Sequence, residues 1–407
     1  FTQATSNGAF LIFDADGDGD NDLYVVSGGN EYPKNTSIYQ DRLYLNDGVG
    51  RLAYSSESLP KMNVSGKCVR NMDFDNDGDD DLFVGGRQTP QEYPMPTSSF
   101  ILRNDGGKFT DITSEVAPGL KNIGMVTDAV WTDFDGDKDF DLIIVGEWMA
   151  ITALQNDNGK FTDITEAAGL SNATGWWNAI EQADFDGDGD MDYIAGNLGL
   201  NIKYKASIVE PFEVYCHDFD ENNSLDIYLG YYENGICYPV RGRECSSEQM
   251  PFVKEKFPSY NQFADASITE VIGEGVTEAL HYKAYNFETS YIENLGAGKF
   301  KVHSMPVEAQ LSAVSGIIPH DFNRDGKMDV LISGNYHHRE VETTRSDASV
   351  GLLLSGDGKG GFKTIPPYKS GFYAWQDARD MELLRTPNGD LVLVANNGAG
   401  VQVFEVK

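Results

Sequence analysis

Basic residues and histidine are scarce in this sequence. Its 407 residues include 31 Lys and Arg and 6 His against 64 Asp and Glu, which gives a formal net charge of -33 at pH 7. Nucleic acids and anionic membrane surfaces bind proteins through basic faces, so this acidity excludes both as partners. Hydrophobic residues make up 40% of the chain, which is enough for a folded core and excludes a disordered chain.

Cysteine is also rare, and long apolar runs are absent. The four cysteines show no Cys/His spacing of the zinc type. Cys237 and Cys245 are near enough in sequence to bridge a loop, and free or buried thiols are the equal alternative. Without a run of about 18 apolar residues, no direct membrane insertion is expected. The chain opens at Phe1 with neither an initiator Met nor a signal peptide, so we expect a processed or trimmed product of a longer precursor.

Aspartate, in contrast, is abundant and concentrated in nine-residue runs. Residues 73–81 are Asp-Phe-Asp-Asn-Asp-Gly-Asp-Asp-Asp, followed by Leu-Phe-Val. So many carboxylates would repel one another unless a cation lay among them. Side chains at positions 1, 3 and 5, the backbone carbonyl at position 7 and the carboxylate at position 9 would supply about six hard oxygens, which suits Ca²⁺.

The run occurs six times, and we number the copies loops 1 to 6 in chain order. They span residues 14–22, 73–81, 133–141, 184–192, 218–226 and 321–329. One Asp-rich run can be a solvated acidic loop, but six copies with one spacing, each followed by a hydrophobic or aromatic residue, predict cation binding. An EF-hand is excluded because the closing acid is at position 9 and the flanks are short β-type runs.

Positions 1, 3, 5, 7 and 9 of these loops are the candidate metal-binding residues. In loops 1 to 4 they are Asp14, Asp16, Asp18, Asp20, Asp22, Asp73, Asp75, Asp77, Asp79, Asp81, Asp133, Asp135, Asp137, Asp139, Asp141, Asp184, Asp186, Asp188, Asp190 and Asp192. In loops 5 and 6 they are Asp218, Asp220, Asn222, Ser224, Asp226, Asp321, Asn323, Asp325, Lys327 and Asp329. The non-acidic residues in loops 5 and 6 leave their occupancy open, so we expect four to six Ca²⁺ ions.

Short strand-like segments and Asn-Asp-Gly turns flank the loops and predict hairpins. Four antiparallel strands repeated along the chain form the blades of a β-propeller. We therefore expect an all-β fold in one domain, residues 1–407, a seven-bladed β-propeller of four-stranded antiparallel blades. The blades are expected to start near residues 8, 67, 126, 177, 212, 316 and 379.

Two blades depart from the regular unit. Loops 4 and 5 are too close in sequence for blade four to have its own outer hairpin, which we expect to be reduced or filled from elsewhere. Blade five would run from 212 to about 304, with its outer strands at 289–294 and 300–304. It carries a small helical insertion near 241–273, where short helices are expected at 247–256 and 263–272.

Blade seven has no cation loop and no fourth strand. Residues 1–5, Phe-Thr-Gln-Ala-Thr, match Phe-Thr-Asp-Ile-Thr at 109–113 and 161–165, the fourth strands of blades two and three. We expect the N-terminal strand 1–5 to join the C-terminal blade and close the ring, which would leave no exposed sheet edge.

The Asp-Phe-Asp-Gly-Asp-Gly loops, followed by Asp-Leu, two apolar residues and Gly, resemble FG-GAP or VCBS repeats. These repeats build integrin alpha-chain propellers and many bacterial extracellular proteins. Residues 22–30, 42–48 and 393–398 are also similar to the C-terminal half of large secreted VCBS-repeat proteins of Bacteroidetes-type bacteria. The resemblance implies calcium ligands at positions 1, 3, 5 and 9 of each loop. It also implies a secreted or bacterial cell-surface protein.

Polar and aromatic residues follow the glycine that ends each second strand, and long connections add further aromatics. On the face opposite the calcium loops they would ring the central channel and bind a glycan, protein or peptide. The alternative is that the glycines let strands bend and the aromatics cover loops. The candidates are Asn30, Glu31, Arg87, Gln88, Glu147, Trp148, Trp176, Trp177, Asn197, Asn335, Tyr336, His337 and Trp375.

An adhesion or ligand-binding scaffold with structural calcium is the favoured function, and two alternatives remain. A polysaccharide lyase or hydrolase could use Tyr336, His337, His338, Arg339 and Glu147 as acid, base and charge stabiliser. The sequence has no nucleophile elbow, no HExxH and no carboxylate pair distinct from the calcium ligands, so no catalytic residue is assigned. The other alternative is a purely structural module that contacts other parts of a larger surface protein or complex.

Overall fold

A computed structural model describes residues 6–339 and 343–407 of the chain. The chain divides into two compact units, one of Phe1–Ile202 and Glu288–Lys407 and the other of Lys203–Phe287. A single domain was expected from the repeats. The assignment of one domain stays a prediction; in the structure, the segment between two strands of one sheet folds on itself as the second unit.

The described strands of the first unit form six antiparallel sheets, numbered 1 to 6 in chain order. Sheet 1 comprises β1 (Ser6–Phe13), β2 (Asp22–Gly28), β3 (Arg42–Asn46) and β4 (Leu52–Ser55). Sheet 2 comprises β5 (Ser65–Met72), β6 (Asp81–Gln88), β7 (Phe100–Asn104) and β8 (Phe109–Asp111). Sheet 3 comprises β9 (Met125–Thr132), β10 (Asp141–Ala150), β11 (Thr152–Asn156), β12 (Phe161–Asp163) and β13 (Thr174–Trp176).

Sheets 4 to 6 complete the first unit. Sheet 4 comprises β14 (Ala179–Ala183), β15 (Asp192–Gly196), β20 (Ser290–Asn294) and β21 (Phe300–Ser304). Sheet 5 comprises β22 (Gly316–His320), β23 (Asp329–Ser333), β24 (Leu352–Gly356) and β25 (Phe362–Ile365). Sheet 6 comprises β26 (Ala378–Leu384), β27 (Leu391–Asn396) and β28 (Gln402–Glu405). The helices of this unit are the short α1 (Thr113–Val116) and α6 (Pro367–Ser370).

The sheets pair their strands in sequence order, as expected for a propeller blade, except that β13 pairs with β10 in sheet 3. A cation loop joins the first two strands of sheets 1 to 5. The first strands lie side by side: β1 contacts β5, β5 contacts β9, β9 contacts β14, β14 contacts β22, and β22 contacts β26. Strands such as β9 and β15 are buried along their whole length, because neighbouring sheets cover both faces. The expected seven blades and ring closure are not confirmed, and residues 1–5 lie outside the described residues.

The outer hairpin of sheet 4 corrects the predicted boundary between blades four and five. Tyr193 of β15 pairs with Ile292 of β20, and Asn294 of β20 pairs with Phe300 of β21. Assigning residues 289–294 and 300–304 to blade five is therefore wrong, and blade four has a complete set of strands. Sequence proximity suggested the wrong partner because the whole second unit is inserted between β15 and β20.

The second unit is a four-stranded sheet with four short helices. Its strands are β16 (Phe212–His217), β17 (Asp226–Glu233), β18 (Ile236–Pro239) and β19 (Leu280–Ala284), in the order β18-β17-β16-β19. Its helices are α2 (Arg243–Gln249), α3 (Phe252–Lys256), α4 (Tyr260–Ala264) and α5 (Ile268–Ile272). The predicted helical character of residues 247–256 and 263–272 is confirmed. Capping boxes at Ser259 and Ser267 start α4 and α5.

A buried carboxylate organises one face of the sheet in the second unit. Glu213 accepts hydrogen bonds from Tyr215 Oη at 2.6 Å and lies 3.2 Å from His281 Nε2 and 3.1 Å from Lys283 Nζ. Burial alone would raise the pKa of Glu213, but these three partners lower it to about 2. The carboxylate is therefore ionised and holds β16 and β19 together by charge.

The four cysteines, all in the described part of the chain, are free thiols. A bridge between Cys237 and Cys245, one of the two alternatives left open by the sequence, is therefore not formed. Within residues 6–339 and 343–407, no helix has the length and apolarity needed to cross a membrane.

The buried Asp41, which directly precedes β3 of sheet 1, makes the stability of the protein depend on pH. Asp41 accepts hydrogen bonds from Tyr24 Oη at 2.8 Å and from the Ser27 N–H at 2.7 Å. Burial raises its pKa to about 7. The folded state therefore keeps a proton that the unfolded chain loses near pH 4, so the contribution of Asp41 to stability falls as the pH rises from about 4 to about 7.

Replacing Asp41 by asparagine is expected to remove this term. When the pH rises from 5 to 7.5, the free energy of unfolding should fall by about 2 kcal/mol more in the unsubstituted protein than in Asp41→Asn, because the amide has no proton to lose. Urea unfolding at the two pH values in saturating Ca²⁺ measures the difference. The exposed Asp157→Asn is the control, and an identical pH dependence in all three proteins would contradict the assignment.

Candidate calcium loops and ligand-binding cluster

Backbone hydrogen bonds shape each cation loop around its first aspartate. In loop 3, Asp133 accepts the N–H groups of Gly136 at 2.9 Å and Lys138 at 3.1 Å, and Asp137 accepts that of Asp139 at 2.8 Å. Gly136 and Lys138 have φ angles of 80° and 81°. Lys138 thus adopts the left-handed conformation that glycine takes in loop 2, which explains how loop 3 keeps the same path without that glycine.

Carboxylate oxygens from three loop positions converge in five of the six loops. Within each group, one oxygen per residue lies within 4.8 Å of the others. Within the described residues, loop 6 forms no such group of carboxylates, and its Asn323 Nδ2 instead lies 3.4 Å from Asp329 Oδ1. The groups are Asp14, Asp16 and Asp18; Asp73, Asp75 and Asp81; Asp133, Asp135 and Asp141; Asp184, Asp186 and Asp192; and Asp218, Asp220 and Asp226.

The aspartate at position 9 is both a candidate ligand and an anchor for the fold. Asp141 is fully buried and accepts the N–H of Phe134 at 3.0 Å and the N–H of Asn156, in the third strand, at 2.8 Å. Asp192 repeats this with Phe185 and Asn294 at 3.2 and 2.8 Å. One oxygen therefore closes the loop on itself and the other ties it to the third strand, a role that the sequence pattern did not reveal.

The charges in these groups are not compensated by protein cations. Burial, partly offset by backbone hydrogen bonds and increased by neighbouring carboxylates, raises the pKa of Asp81 and Asp141 to about 7. Buried oxygens of Asp16 and Asp220 have no hydrogen-bond donor within the described part of the chain. A hard divalent cation would supply the missing positive charge, and an all-oxygen donor set fits Ca²⁺.

In loops 2 and 3, the side chain at position 7 contacts a turn between strands. Asp79 accepts the N–H of Gly106 at 2.8 Å, and Asp139 accepts that of Asn158 at 3.1 Å, so both side chains bind the turn between the third and fourth strands. The five carboxylate groups include none of the position-7 residues, namely Asp20, Asp79, Asp139, Asp190 and, in loops 5 and 6, Ser224 and Lys327.

At the opposite ends of the strands, side chains distant in sequence meet in what we call the Arg87 cluster: Arg87, Tyr93, Glu147 and Trp148. Glu147 forms an ion pair with Arg87 and accepts a hydrogen bond from the Tyr93 hydroxyl. Trp148 Nε1 donates to Tyr93 Oη at 2.8 Å. Only 23% of the Arg87 side chain and 17% of the Glu147 side chain are exposed. Burial and the Glu147 carboxylate raise the pKa of Tyr93, which keeps its hydroxyl neutral.

Trp148 has a strained backbone that places it in this cluster. It occupies a bulge in β10, where the pairing with β13 shifts between Glu147 and Met149. Its φ angle of 60° is unfavourable for a bulky residue, at a cost of order 1–3 kcal/mol. The indole is buried and packs edge-on against Trp176, with ring centroids 4.9 Å apart. The bulge thus aims Trp148 toward Tyr93 and away from the regular strand face.

A second group, the Tyr336 cluster, is formed by Tyr336, His338, Arg339, Asp377 and Arg379. The guanidinium groups of Arg379 and Arg339 lie 4.2 and 5.2 Å from the Tyr336 ring centre. Asp377 is 3.0 Å from Arg379 Nη2 and 3.3 Å from His338 Nδ1. Tyr336 also interacts electrostatically with Arg87 of the first cluster.

A third group, which we call the Arg70 cluster, consists of charged residues on the first strands of four sheets: Arg70, Asp128, Glu181 and Asp380. Arg70 of β5 lies 2.6 Å from Asp128 of β9 and 3.6 Å from Glu181 of β14, and it also interacts with Asp380 of β26. Burial, partly offset by Arg70, raises the pKa of Glu181 to about 7. The first strands of sheets 2, 3, 4 and 6 therefore contribute to one charged cluster.

Three of the residues proposed for ligand contact from the sequence belong to the interior. Trp177 is buried and donates from Nε1 to the Ala173 carbonyl at 2.9 Å. Asn197 and Asn335 are buried and bond backbone groups of neighbouring loops. These three side chains position loops and cannot offer surface to a ligand.

Trp148 is buried as well, and the other candidates are at least partly accessible. Asn30 and Glu31 are exposed, and Asn30 Oδ1 accepts the Gln91 N–H at 2.5 Å. Trp375 is 58% exposed. Gln88 and His337 are half-buried.

Sequence reasoning missed Asp377, Arg379 and the Arg70 cluster. A detectable signal was present: β5, β9 and β14 each carry a charged residue, Arg70, Asp128 and Glu181, near the middle of a strand, and a charge that is buried there requires a partner. Asp377 and Arg379 lacked a comparable signal, since they lie where β26 starts and resemble ordinary surface residues in the sequence.

Comparison with known proteins supports the repeat pattern. The FG-GAP-like repeat matches at residues 14–84, 73–144 and 133–195. A search of curated protein sequences gave no match.

Similar solved structures include a lectin of Agrocybe aegerita described as specifically recognising non-reducing terminal N-acetylglucosamine. It is 14% identical over 99% of this chain and 81% of its own, with a TM-score of 0.47. The V. cholerae biofilm matrix protein Bap1 is 12% identical over 99% of this chain and 88% of its own, with a TM-score of 0.30.

The matched repeats coincide with loops 1 to 4 and with the strands that these loops join. Residues 14–195 thus carry three overlapping FG-GAP-like repeats.

Proposed function

We propose that this chain is a calcium-stabilised scaffold of an extracellular protein, secreted or at a bacterial cell surface, and that its Arg87 and Tyr336 clusters bind a glycan or peptide. Calcium has a structural role in this proposal, because the loops join strands at the ends opposite those that carry Arg87 and Glu147. Loops of this type need the calcium concentrations found outside cells.

The strained Trp148 in a buried polar network carries the ligand-binding part of the proposal. A bulge and an unfavourable φ angle cost stability, and such features concentrate at functional sites. The residues that Trp148 contacts come from separate loops at one end of the sheets, where rigid strands support variable connections.

The chemistry of the clusters suits a polar ligand with apolar faces. Arg87 Nη1 is buried and has no hydrogen-bond acceptor within the described residues, so it is available as a donor. The exposed Trp375 offers a flat apolar surface. Aromatic faces combined with fixed donors and carboxylates are typical of sites that bind sugars or peptides.

An arginine-to-lysine exchange tests the site without removing charge. Arg87→Lys keeps a cation beside Glu147 but loses the planar guanidinium and its unused donor. On glycan and peptide arrays in Ca²⁺ buffer, we expect a ligand whose affinity falls about tenfold or more in this variant, about 1.4 kcal/mol. The control is Arg51→Lys, at an exposed position. Equal binding by both variants would place the ligand elsewhere, and an array without any ligand would favour a structural module.

A further inference from the structure

Buried polar atoms without a hydrogen-bond partner differ in kind between the two ends of the strands. At the cation loops, oxygens of Asp16 and Asp220 lack a donor within the described residues, as expected where a cation completes the site. At the opposite ends, three side-chain nitrogens lack an acceptor there: Arg87 Nη1, Asn178 Nδ2 and His337 Nε2. The His337 nitrogen is a donor in the imidazolium and in one neutral tautomer. These nitrogens suit an acceptor, and an anionic acceptor forms the strongest hydrogen bonds with a guanidinium.

The Arg87 and Tyr336 clusters are basic although the chain is acidic. The chain has 31 basic and 64 acidic residues, whereas the two clusters contain three arginines and two carboxylates and therefore carry a net positive charge. All three arginines interact with Tyr336: Arg339 and Arg379 face its ring, and Arg87 acts on it electrostatically. An anion that the acidic protein repels elsewhere would be attracted here.

Trp375 brings a flat apolar surface to the same part of the structure. Asn335, which directly precedes Tyr336, donates from Nδ2 to the Trp375 carbonyl at 3.1 Å and to the Gln376 carbonyl at 3.0 Å. The Trp375 residue is 58% exposed. Its indole can therefore stack on the apolar face of a sugar ring beside the Tyr336 cluster.

Two amide oxygens beside the Tyr336 cluster require donors. Gln376 Oε1 and Asn396 Oδ1 are buried and have no donor within residues 6–339 and 343–407. Gln376 directly precedes Asp377, and Asn396 pairs with Ala378. Sugar hydroxyl groups are donors, and a carboxylate is an acceptor. A sugar acid carries both groups and an apolar face on one ring, which matches the mixed set of atoms at this end of the strands.

We propose that the ligand of the Arg87 and Tyr336 clusters is an acidic glycan. The carboxylate of a uronic acid binds the guanidinium groups, and a sugar ring stacks on Trp375. This inference rests on the proposed function, since it names the class of ligand that those clusters bind. Leaving a buried donor without an acceptor is costly, so small side-chain movements that bring the carboxylate to Arg87 and His337 are favoured.

Matched pairs of oligosaccharides test the charge of the ligand. An array presents oligosaccharides of glucuronic, galacturonic and mannuronic acid, each beside its carboxyl-reduced form, in which a hydroxymethyl group replaces the carboxylate. With the whole chain in Ca²⁺ buffer, we expect at least one acid to bind, and its reduced form to bind about tenfold more weakly or worse. Titration calorimetry of that pair measures the ratio of the two affinities.

Arg87→Lys tests where the carboxylate binds. The lysine keeps a positive charge but loses the planar fork of donors, so this variant should weaken binding of the acid more than binding of the reduced form and bring the ratio closer to one. Arg51→Lys, at an exposed position, is the matched control and should leave the ratio unchanged. Because the ratio compares two sugars on one protein, a partial loss of folding in a variant affects both affinities alike.

Other outcomes separate this inference from the function on which it rests. Equal binding of an acid and its reduced form, weakened alike by Arg87→Lys, would overturn the acidic ligand and retain the binding site. Binding of peptides alone, or a preference for sulfated neutral sugars, would do the same if Arg87→Lys weakened it. An unchanged ratio in Arg87→Lys would assign the carboxylate to bound calcium or another surface and overturn the inference. No binding of any oligosaccharide or peptide would overturn both proposals.

Discussion

Removing calcium is expected to lower the melting temperature of the protein by about 10 °C or more. A cation present at 100 times its dissociation constant stabilises the native state by about 2.7 kcal/mol per site. The convergent carboxylates of loops 1 to 4 lie in the first unit, so several such contributions add up in one folded body. Calorimetry in millimolar CaCl₂, then after addition of excess EGTA, measures the change.

The ion used for recovery distinguishes calcium from a general charge effect. Re-addition of Ca²⁺ should restore the melting temperature, and equimolar Mg²⁺ should restore less of it, because Mg²⁺ demands near-ideal octahedral geometry and gives up its water reluctantly. Monovalent salt at matched ionic strength controls for screening of the net charge of -33. An unchanged melting temperature after chelation would mean that the hydrogen bonds of the loops suffice without a cation.

The loops could be predicted from the sequence because their geometry is local. Asp133 bonds backbone groups three and five residues away, so a fixed spacing of aspartate and turn residues carries the whole signal. The second role of Asp141 could not be predicted, since its partner Asn156 lies on another strand and contributes only a backbone N–H. Side-chain patterns carry no information on such a contact.

The order of strands was predictable only where neighbours in sequence are neighbours in the sheet. Sheets 1, 2 and 5 follow that rule, and their strands were placed correctly. In sheet 4 the second unit separates β15 from β20, and β20 is paired through Ile292 and Tyr193, which lie far apart in the chain. A strand pattern shows that a segment will pair but not with which partner.

The candidate ligand face shows the same limit. Trp176 and Trp177 are adjacent, and strand alternation predicts that one of them faces the interior. Register decides which one, and Trp177 is buried while Trp176 packs on Trp148. The pairing of Arg87 with Glu147, across two sheets, likewise depends on tertiary structure.

Replacing Asp141 by alanine is expected to be the most damaging loop substitution. It leaves the buried N–H groups of Phe134 and Asn156 without an acceptor, which costs about 1–3 kcal/mol each, and it removes one carboxylate from a group of three. The free energy of unfolding should therefore fall by about 2–6 kcal/mol in EGTA and by a further amount in Ca²⁺. Urea unfolding under both conditions separates the two contributions.

Asp329→Ala is the matched control, because Asp329 makes the same anchoring contacts in a loop without a three-carboxylate group. It is buried and accepts the N–H of Phe322 at 3.1 Å and of Gly356 at 3.0 Å. We expect Asp329→Ala to lose as much stability as Asp141→Ala in EGTA, with little added loss in Ca²⁺. If the loss in free energy of unfolding were larger in Ca²⁺ than in EGTA by the same amount in both variants, loop 6 would bind the ion despite Asn323 and Lys327. If the loss were the same in Ca²⁺ and in EGTA for both variants, the position-9 aspartate would serve only as an anchor, and the cation would be held by positions 1, 3 and 5 alone.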